Sequence, residues 1–274
     1  MRFKRVFHVF QNTPLGRENL LGAVHLCRVT GAQLHVFKPV EPRFTIQLAD
    51  ELVEVPLDGT YLESPETVEQ HVDDLVSGAG LRYRWAEPAH RLASTMPVVL
   101  AEFEILACSR SFSDPPSRLA PGQLGSHIRR LIKTGRFPVL ILSATALEWD
   151  RLTVFFGGSQ HALKALAWAR TIAAAAGFDY TVFTEQENGA VDKAEAVLAE
   201  AGWLEEVRPR WQIVPAGTFA SSLWQVPRTS LVVAGAFGQA ALKARLFGSR
   251  VEMLQSQLPN PLLLVGPSSD PPEG

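Results

Sequence analysis

The chain repeats itself, and that repetition limits its fold more tightly than anything else in it. Shifted by 146 residues, Val6–Phe37 lies on Leu152–Phe183 without a gap. Thr13 falls on Ser159, Leu20 on Leu166, Ala23 on Ala169, Gly31 on Gly177 and Phe37 on Phe183. A second block, Gly125–Leu142, lies on Gly248–Val265 at a shift of 123, with Gly125 and Ser126 on Gly248 and Ser249 and Pro138 on Pro261. Agreement at both ends of each half, in the same order, is what a duplicated unit produces. The smaller second shift places insertions in the first half, and the Pro-punctuated stretch Lys38–Ser64 has no counterpart of similar length in the second.

Each half alternates short apolar runs with longer amphipathic ones. In the second half Leu152–Phe156 reads as a buried strand ended by Gly157 and Gly158. Ser159 is placed to cap a helix whose Ala162, Leu166, Ala169, Ala173 and Ala176 recur at three- and four-residue spacing, and Gly177 stops it. Strands follow at Tyr180–Thr184, Trp211–Val214, Ser230–Ala234 and Leu262–Val265, with helices near Val191–Ala201, Phe219–Gln225 and from Ser249. The first half gives strands at Val6–Phe10, Leu34–Phe37, Leu81–Trp85, Phe103–Ala107 and Val139–Leu142, with helices at Leu15–Thr30, Pro65–Ser77 and from Ser126. Apolar strands separated by helices indicate an α/β fold with a parallel sheet covered on both faces. The expected units are 1–145 and 151–267, followed by a Pro-rich tail, 268–274, expected to be flexible.

Composition narrows the function classes. Apolar residues are 46% of the 274 and charged residues 20%, enough for sizeable cores and too little charge for global disorder. Lys and Arg number 26 against 28 Asp and Glu, a balance that argues against a protein built to grip nucleic acid. Cys27 and Cys108 stand far apart, which excludes a disulfide framework and fits a reducing cytoplasm. No secretory leader and no run of 18 apolar residues is visible, so a cytoplasmic protein without membrane insertion is expected.

In open parallel sheets ligands settle at the carboxyl ends of strands. Two loops of the second half suit that role: Gly157-Gly158-Ser159, and the run from Ala234 through Gly235 and Gly238 to Gly248 and Ser249. Gly235 and Gly238 permit close backbone approach, and Gly248-Ser249 opens a helix whose bare N–H groups and positive dipole end favour an anion. Lys243, Arg245 and Arg250 supply cationic charge nearby. In the first half only Gly125-Ser126 remains of this arrangement, so that pocket reads as degenerate, with Ser109, Arg110 and Ser126 as leftover anion contacts.

Gly235, Gly238, Gly248 and Ser249 have the G-x2-G-x9-G-S spacing of the universal stress proteins, and Leu152–Gly177 resembles that family's opening strand, loop and helix. As two fused copies, the likeness covers nearly the whole chain. The resemblance implies a five-stranded parallel sheet in each half. It implies ATP or another adenine nucleotide, with Mg as a candidate companion ion, held by Gly157, Gly158, Ser159, Ala234, Gly235, Gly238, Gly248, Ser249 and Arg250. It also implies pairing of copies through their last strands, here Val139–Leu142 with Leu262–Val265, as a pseudo-dimer within one chain. Homodimers and a regulatory protein partner are further implied. The family's nucleotide binders usually carry an Asp at the end of the first strand; Gly157 and Gln11 stand there in this chain.

Enzyme signatures are weak. Ser159 and His161 form no recognisable nucleophile pair, the other histidines lack zinc-ligand spacing, and neither a nucleophile elbow nor a P-loop is present. Cys27 reads as buried and inert, Cys108 as the more exposed of the two, and Trp203, Trp211 and Trp224 as core. Two functions stand. One is a nucleotide-binding stress-response or regulatory protein with at most weak ATP hydrolysis; the other is a nucleotide-free scaffold of the same fold whose pockets are vestigial.

Overall fold

The structure, a computed structural model, describes residues 3–39, 43–49, 51–56, 65–93, 95–110, 112, 123–145, 148–187, 189–237 and 249–272. In the first half the strands are β1 (Arg5–Val9), β2 (Gln33–Phe37), β3 (Arg43–Gln47), β4 (Leu52–Pro56), β5 (Tyr83–Trp85), β6 (His90–Leu92), β7 (Met96–Leu100), β8 (Ile105–Ser109) and β9 (Val139–Leu142). Its helices are α1 (Pro14–Thr30), α2 (Pro65–Gly78) and α3 (Ser126–Thr134). The second half has β10 (Arg151–Phe155), β11 (Asp179–Gln186), β12 (Trp211–Pro215), β13 (Ser230–Gly235) and β14 (Leu262–Val265). Its helices are α4 (Gln160–Ala176), α5 (Ala190–Glu200), α6 (Leu204–Val207), α7 (Phe219–Ser222) and α8 (Ser249–Gln257).

Ten strands form one sheet in the order β12-β11-β10-β13-β14-β9-β8-β1-β2-β5. Read outward from the middle, the two five-strand halves have the same connectivity, and every pairing is parallel except one. That one is the central seam, where β14 runs antiparallel to β9 with Leu262 opposite Ile141, Leu263 opposite Leu140 and Leu264 opposite Val139. The strands are Val-Leu-Ile-Leu and Leu-Leu-Leu-Val, buried throughout. Strands buried on both faces have no polar side to misplace, so continuous apolar sequence suits the middle of a covered sheet.

The helix ends repeat as the sequence shift requires. Thr13 Oγ1 accepts from Gly16 N–H (2.8 Å) at the start of α1, and Ser159 Oγ accepts from Ala162 N–H (3.1 Å) at the start of α4. Gly31 (φ 71°) and Gly177 (φ 70°) stop these helices in the left-handed conformation, returning their N–H groups to Cys27 O and Ala173 O. One face of the sheet is packed by α1, α2, α4 and α5. The other is packed by α3, α7, α8 and a feature absent from the sequence reading, a four-stranded sheet in the order β4-β3-β7-β6. The inserted strands β3 and β4 turn Phe44, Ile46, Val53 and Val55 inward, where Phe44 meets Phe37 (4.8 Å between ring centres).

Three expectations are corrected. Pro267–Asp270 does not fray: Ser269 is fully buried and its hydroxyl donates to Gly135 O (3.3 Å), while Lys164 Nζ donates to Pro267 O and pairs with Asp270 (both 2.6 Å). Cys108 is as buried as Cys27, and burial pushes both thiols up, which removes them from redox or nucleophilic chemistry at neutral pH. Trp203 and Trp211 pack against the core, but Trp224 is 81% exposed, on the turn that follows α7.

His25 ties α1 to the segment that joins the halves. Arg28 donates to its Nδ1 (3.2 Å), so Nε2 carries the proton and donates to Trp149 O (2.8 Å). His8, in the middle of β1, is buried; its Nδ1 donates to Ala107 O (2.9 Å) and its Nε2 has no partner. Desolvation, only partly opposed by the Ala107 carbonyl, lowers its pKa from 6.5 to about 4.

Leu140 and Leu263 face each other across the seam at 0% exposure. Leu140→Ala or Leu263→Ala is expected to cost about 2–5 kcal/mol in urea unfolding, and the double variant less than the sum because one cavity is shared. In acid, an unfolded His8 takes a proton that the folded one refuses. Stability should therefore fall as pH drops from about 6.5 towards 4, by on the order of 3 kcal/mol from this group. His25, His35 and His161 are shifted the same way, so His8→Asn should reduce the slope measured by denaturation at several pH values without abolishing it.

Candidate functional site

The carboxyl ends of β10, β11 and β13 enclose a cavity of about 160 Å³, closed on one side by the first turn of α8. Phe155, Phe183 and Phe219 form its apolar wall, Phe155 lying 5.7 Å from Phe183 and 5.3 Å from Phe219. The polar part is an ion network. Glu185, its side chain 5% exposed, accepts from Gly217 N–H (2.9 Å) through Oε1 and from Arg250 Nη2 (2.6 Å) through Oε2. The same Nη2 donates to Glu187 (2.6 Å), and the guanidinium lies 5.4 Å from the Phe219 ring centre.

Arg250 was expected to be an anion contact, and it does sit at the crevice. It is already neutralised there, because two carboxylates against one guanidinium leave the network at a formal −1. Two of the five guanidinium N–H donors are used this way. The sequence carries a signal for these acidic residues: Glu185-Gln186 ends β11 and Glu187 follows it, on the same carboxyl edge as the glycine loop.

The glycines divide by role. A Cβ on Gly235 would stand 2.8 Å from the backbone C and O of His161 and 3.0 Å from Ala162 N. Its missing side chain therefore lets the first turn of α4 press against the end of β13. A Cβ on Gly158 (φ 67°) would stand 2.7 Å from Ala194 N in α5. Gly157 faces open space and lacks a positive φ, so its position could accept a side chain. Ala234 is buried and lines the cavity floor. Ser159 lines the cavity too, with its hydroxyl engaged in the α4 cap. Ser249 begins α8, while Gly238 and Gly248, with Lys243 and Arg245 between them, lie outside the described residues.

His161 Nδ1 is buried without a partner, and burial and Lys164 lower its pKa, so the ring is neutral beside a serine committed to capping. Among the described residues no cluster of three His, Cys, Asp or Glu could hold a metal, and no helix is long and apolar enough to cross a membrane. In the first half other groups stand at the end of β1, the strand that corresponds to β10. Asn12, 6% exposed, accepts from Arg17 (3.2 and 3.3 Å) and from His71 Nδ1 (3.0 Å).

The fold has solved counterparts. A universal stress protein from Archaeoglobus fulgidus DSM 4304 superposes with a TM-score of 0.66 over 97% of this chain and 99% of its own, at 16% identity. A functionally unknown protein from Pseudomonas aeruginosa PAO1 gives 0.57 over 97% and 93% at 13% identity. The cytoplasmic domain of a prokaryotic cation chloride cotransporter gives 0.53 over 96% and 95% at 12%. No protein-family model and no curated protein matches the sequence. At these identities the likeness establishes the fold alone, and that fold is the one of the universal stress proteins over nearly the full chain.

The contrast between the two crevice glycines can be measured. Gly235→Ala forces a methyl into the α4 backbone and is expected to lower the melting temperature by several degrees with no ligand present. Gly157→Ala should leave it within about a degree of the parent.

Proposed function

We propose that the chain is a non-catalytic regulatory protein of the universal stress type whose second half binds the phosphate tail of an adenine nucleotide. The observation that carries this reading is that the G-x2-G-x9-G-S run begins at β13, on the wall of an open crevice that also holds Arg250 and the start of α8. A helix start offers unpaired N–H groups and a positive dipole end, and Arg250 has three further donors beyond those given to Glu185 and Glu187. The ion network sets the conditions of entry. A phosphate approaching a net −1 cluster must draw Arg250 away from its carboxylates or arrive with a divalent cation that Glu185 and Glu187 can face. Binding is therefore expected to depend on Mg²⁺. The ligand acts by favouring one conformation or assembly, with little or no ATP turnover. A response to cellular stress and a regulatory protein partner belong to the same proposal.

A second reading, the nucleotide-free scaffold, is favoured by that same Arg250–Glu185–Glu187 network and by the glycine at position 157 where a carboxylate would hold the nucleotide. The two separate in one experiment on purified full-length chain. Under the first reading MgATP at millimolar concentration raises the melting temperature, Gly248→Val abolishes the rise while the unliganded melting temperature stays put, and Glu185→Gln, which leaves Arg250 one carboxylate partner fewer, makes the rise less dependent on Mg²⁺. Gly157→Asp, which has room for its side chain, should tighten ATP binding by about tenfold, or about 1.4 kcal/mol. No shift with any adenine nucleotide and none co-purified would leave the scaffold.

A further inference from the structure

An open sheet edge presents unpaired N–H and C=O groups, and proteins blunt such edges with charged side chains or by keeping the strand short. The two sheets have four edges: β12 and β5 on the large one, β4 and β6 on the small one. β5 and β6 are three residues long and carry Arg84 and Arg91, and β4 carries Glu54. β12 departs from this pattern. It runs for five residues, Trp-Gln-Ile-Val-Pro, without a charge, and Ile213 at its centre is 51% exposed.

Hydrogen-bond parity shows what that edge offers. Phe183 O accepts from Phe156 N–H (2.9 Å), so the backbone groups of Phe183 face β10. Groups alternate sides along a strand, so those of Thr184 face β12 and bond to the residues on either side of its register partner, Ile213. The N–H and C=O of Ile213 therefore point away from the sheet. The next outward-facing residues have little left to give. Trp211 N–H donates to Arg208 O, Pro215 has no N–H, and Pro215 O accepts from Thr218 N–H (3.2 Å) and Thr218 Oγ1 (2.6 Å). Within β12, Ile213 is the residue that offers an outward donor and acceptor together.

We propose that β12 pairs with β12 of a second copy of this chain, antiparallel about a two-fold axis at Ile213. The two Ile213 residues then exchange both N–H···O=C bonds, with Trp211 opposite Pro215 and Gln212 opposite Val214. Their side chains lie side by side on one face and cover the apolar surface that each exposes alone. An identical strand suits this edge better than a foreign one. A longer peptide would set its own donors and acceptors against groups at Trp211 and Pro215 that are already taken; in a second copy the facing groups are taken as well. No like charges meet, because Arg210 comes opposite Ala216 and Arg208 opposite Thr218. Two-fold contacts are also the commonest form of self-association. A five-residue strand pair is a small interface, so the dimer is weak, with a Kd of about 10–100 µM.

The test is sedimentation velocity of the full-length chain without ligand, at concentrations from about 1 to 500 µM, which bracket that Kd. A monomer–dimer equilibrium is expected. Ile213→Lys, which gives β12 the kind of charge the other three edges carry, should weaken it at least tenfold while keeping the parent's far-UV spectrum and melting temperature. Ile213→Val should stay within about threefold of the parent, because it keeps a β-branched side chain and the same backbone bonds. In the unmodified chain, exchange of the Ile213 amide hydrogen should slow at least threefold between the two ends of the concentration range. That measurement decides the matter if the lysine variant loses its fold. The inference is overturned if the chain is monomeric throughout, if Ile213→Lys leaves the dimer constant unchanged, or if Ile213 exchange does not depend on concentration.

Discussion

The antiparallel contact between β9 and β14 is the constraint on which the rest of the structure depends. Each half taken alone would end its sheet in a fully apolar edge, and a strand with no polar face cannot be left open to water. Joining the two edges removes both liabilities at once and makes one ten-stranded sheet out of two five-stranded ones. The secondary contacts follow from that choice. Ser269 reaches Gly135 across the junction, and His25 grips the connecting segment at Trp149.

The two carboxyl edges differ in chemistry on the same strand order. In the second half an arginine, two glutamates and a phenylalanine wall surround an open space; in the first, Asn12 accepts from Arg17 and His71 at the end of β1. Where a phosphate tail would enter, electrostatics decides more than shape does. A guanidinium held by two carboxylates stays available only to a ligand that offers more than they do, or that brings its own cation.

The layered α/β plan, the like strand order of the two halves and the seam strands were legible because each rests on local sequence: apolar runs, a serine or threonine cap, a left-handed glycine stop. Ser159 and Gly177 bound α4 where spacing places them, and Thr13 and Gly31 do the same for α1. Strand ends were less legible. Phe103 precedes β8 instead of joining it, because its ring stacks on Phe7 at 4.7 Å and meets Phe137 at the same distance, a demand set by distant aromatics. The small sheet was hidden by the prolines around it, although Phe44 and Ile46, like Val53 and Val55, alternate with polar residues in the sequence as a strand with one apolar face does. In the crevice the composition of the glycine motif was plain, but the use of Gly235 was not. The residue that fills the space beside it comes from a helix more than seventy positions earlier in the chain, and no local pattern reports such a neighbour.

Two chains paired through such an edge would separate on dilution, and their ratio would follow expression. Because β9 and β14 belong to one polypeptide, the altered half and the half with the glycine motif are produced in equal number and stay joined at any concentration. The two unlike crevices are therefore held in one fixed pair that cannot exchange for another copy, an asymmetry set at translation.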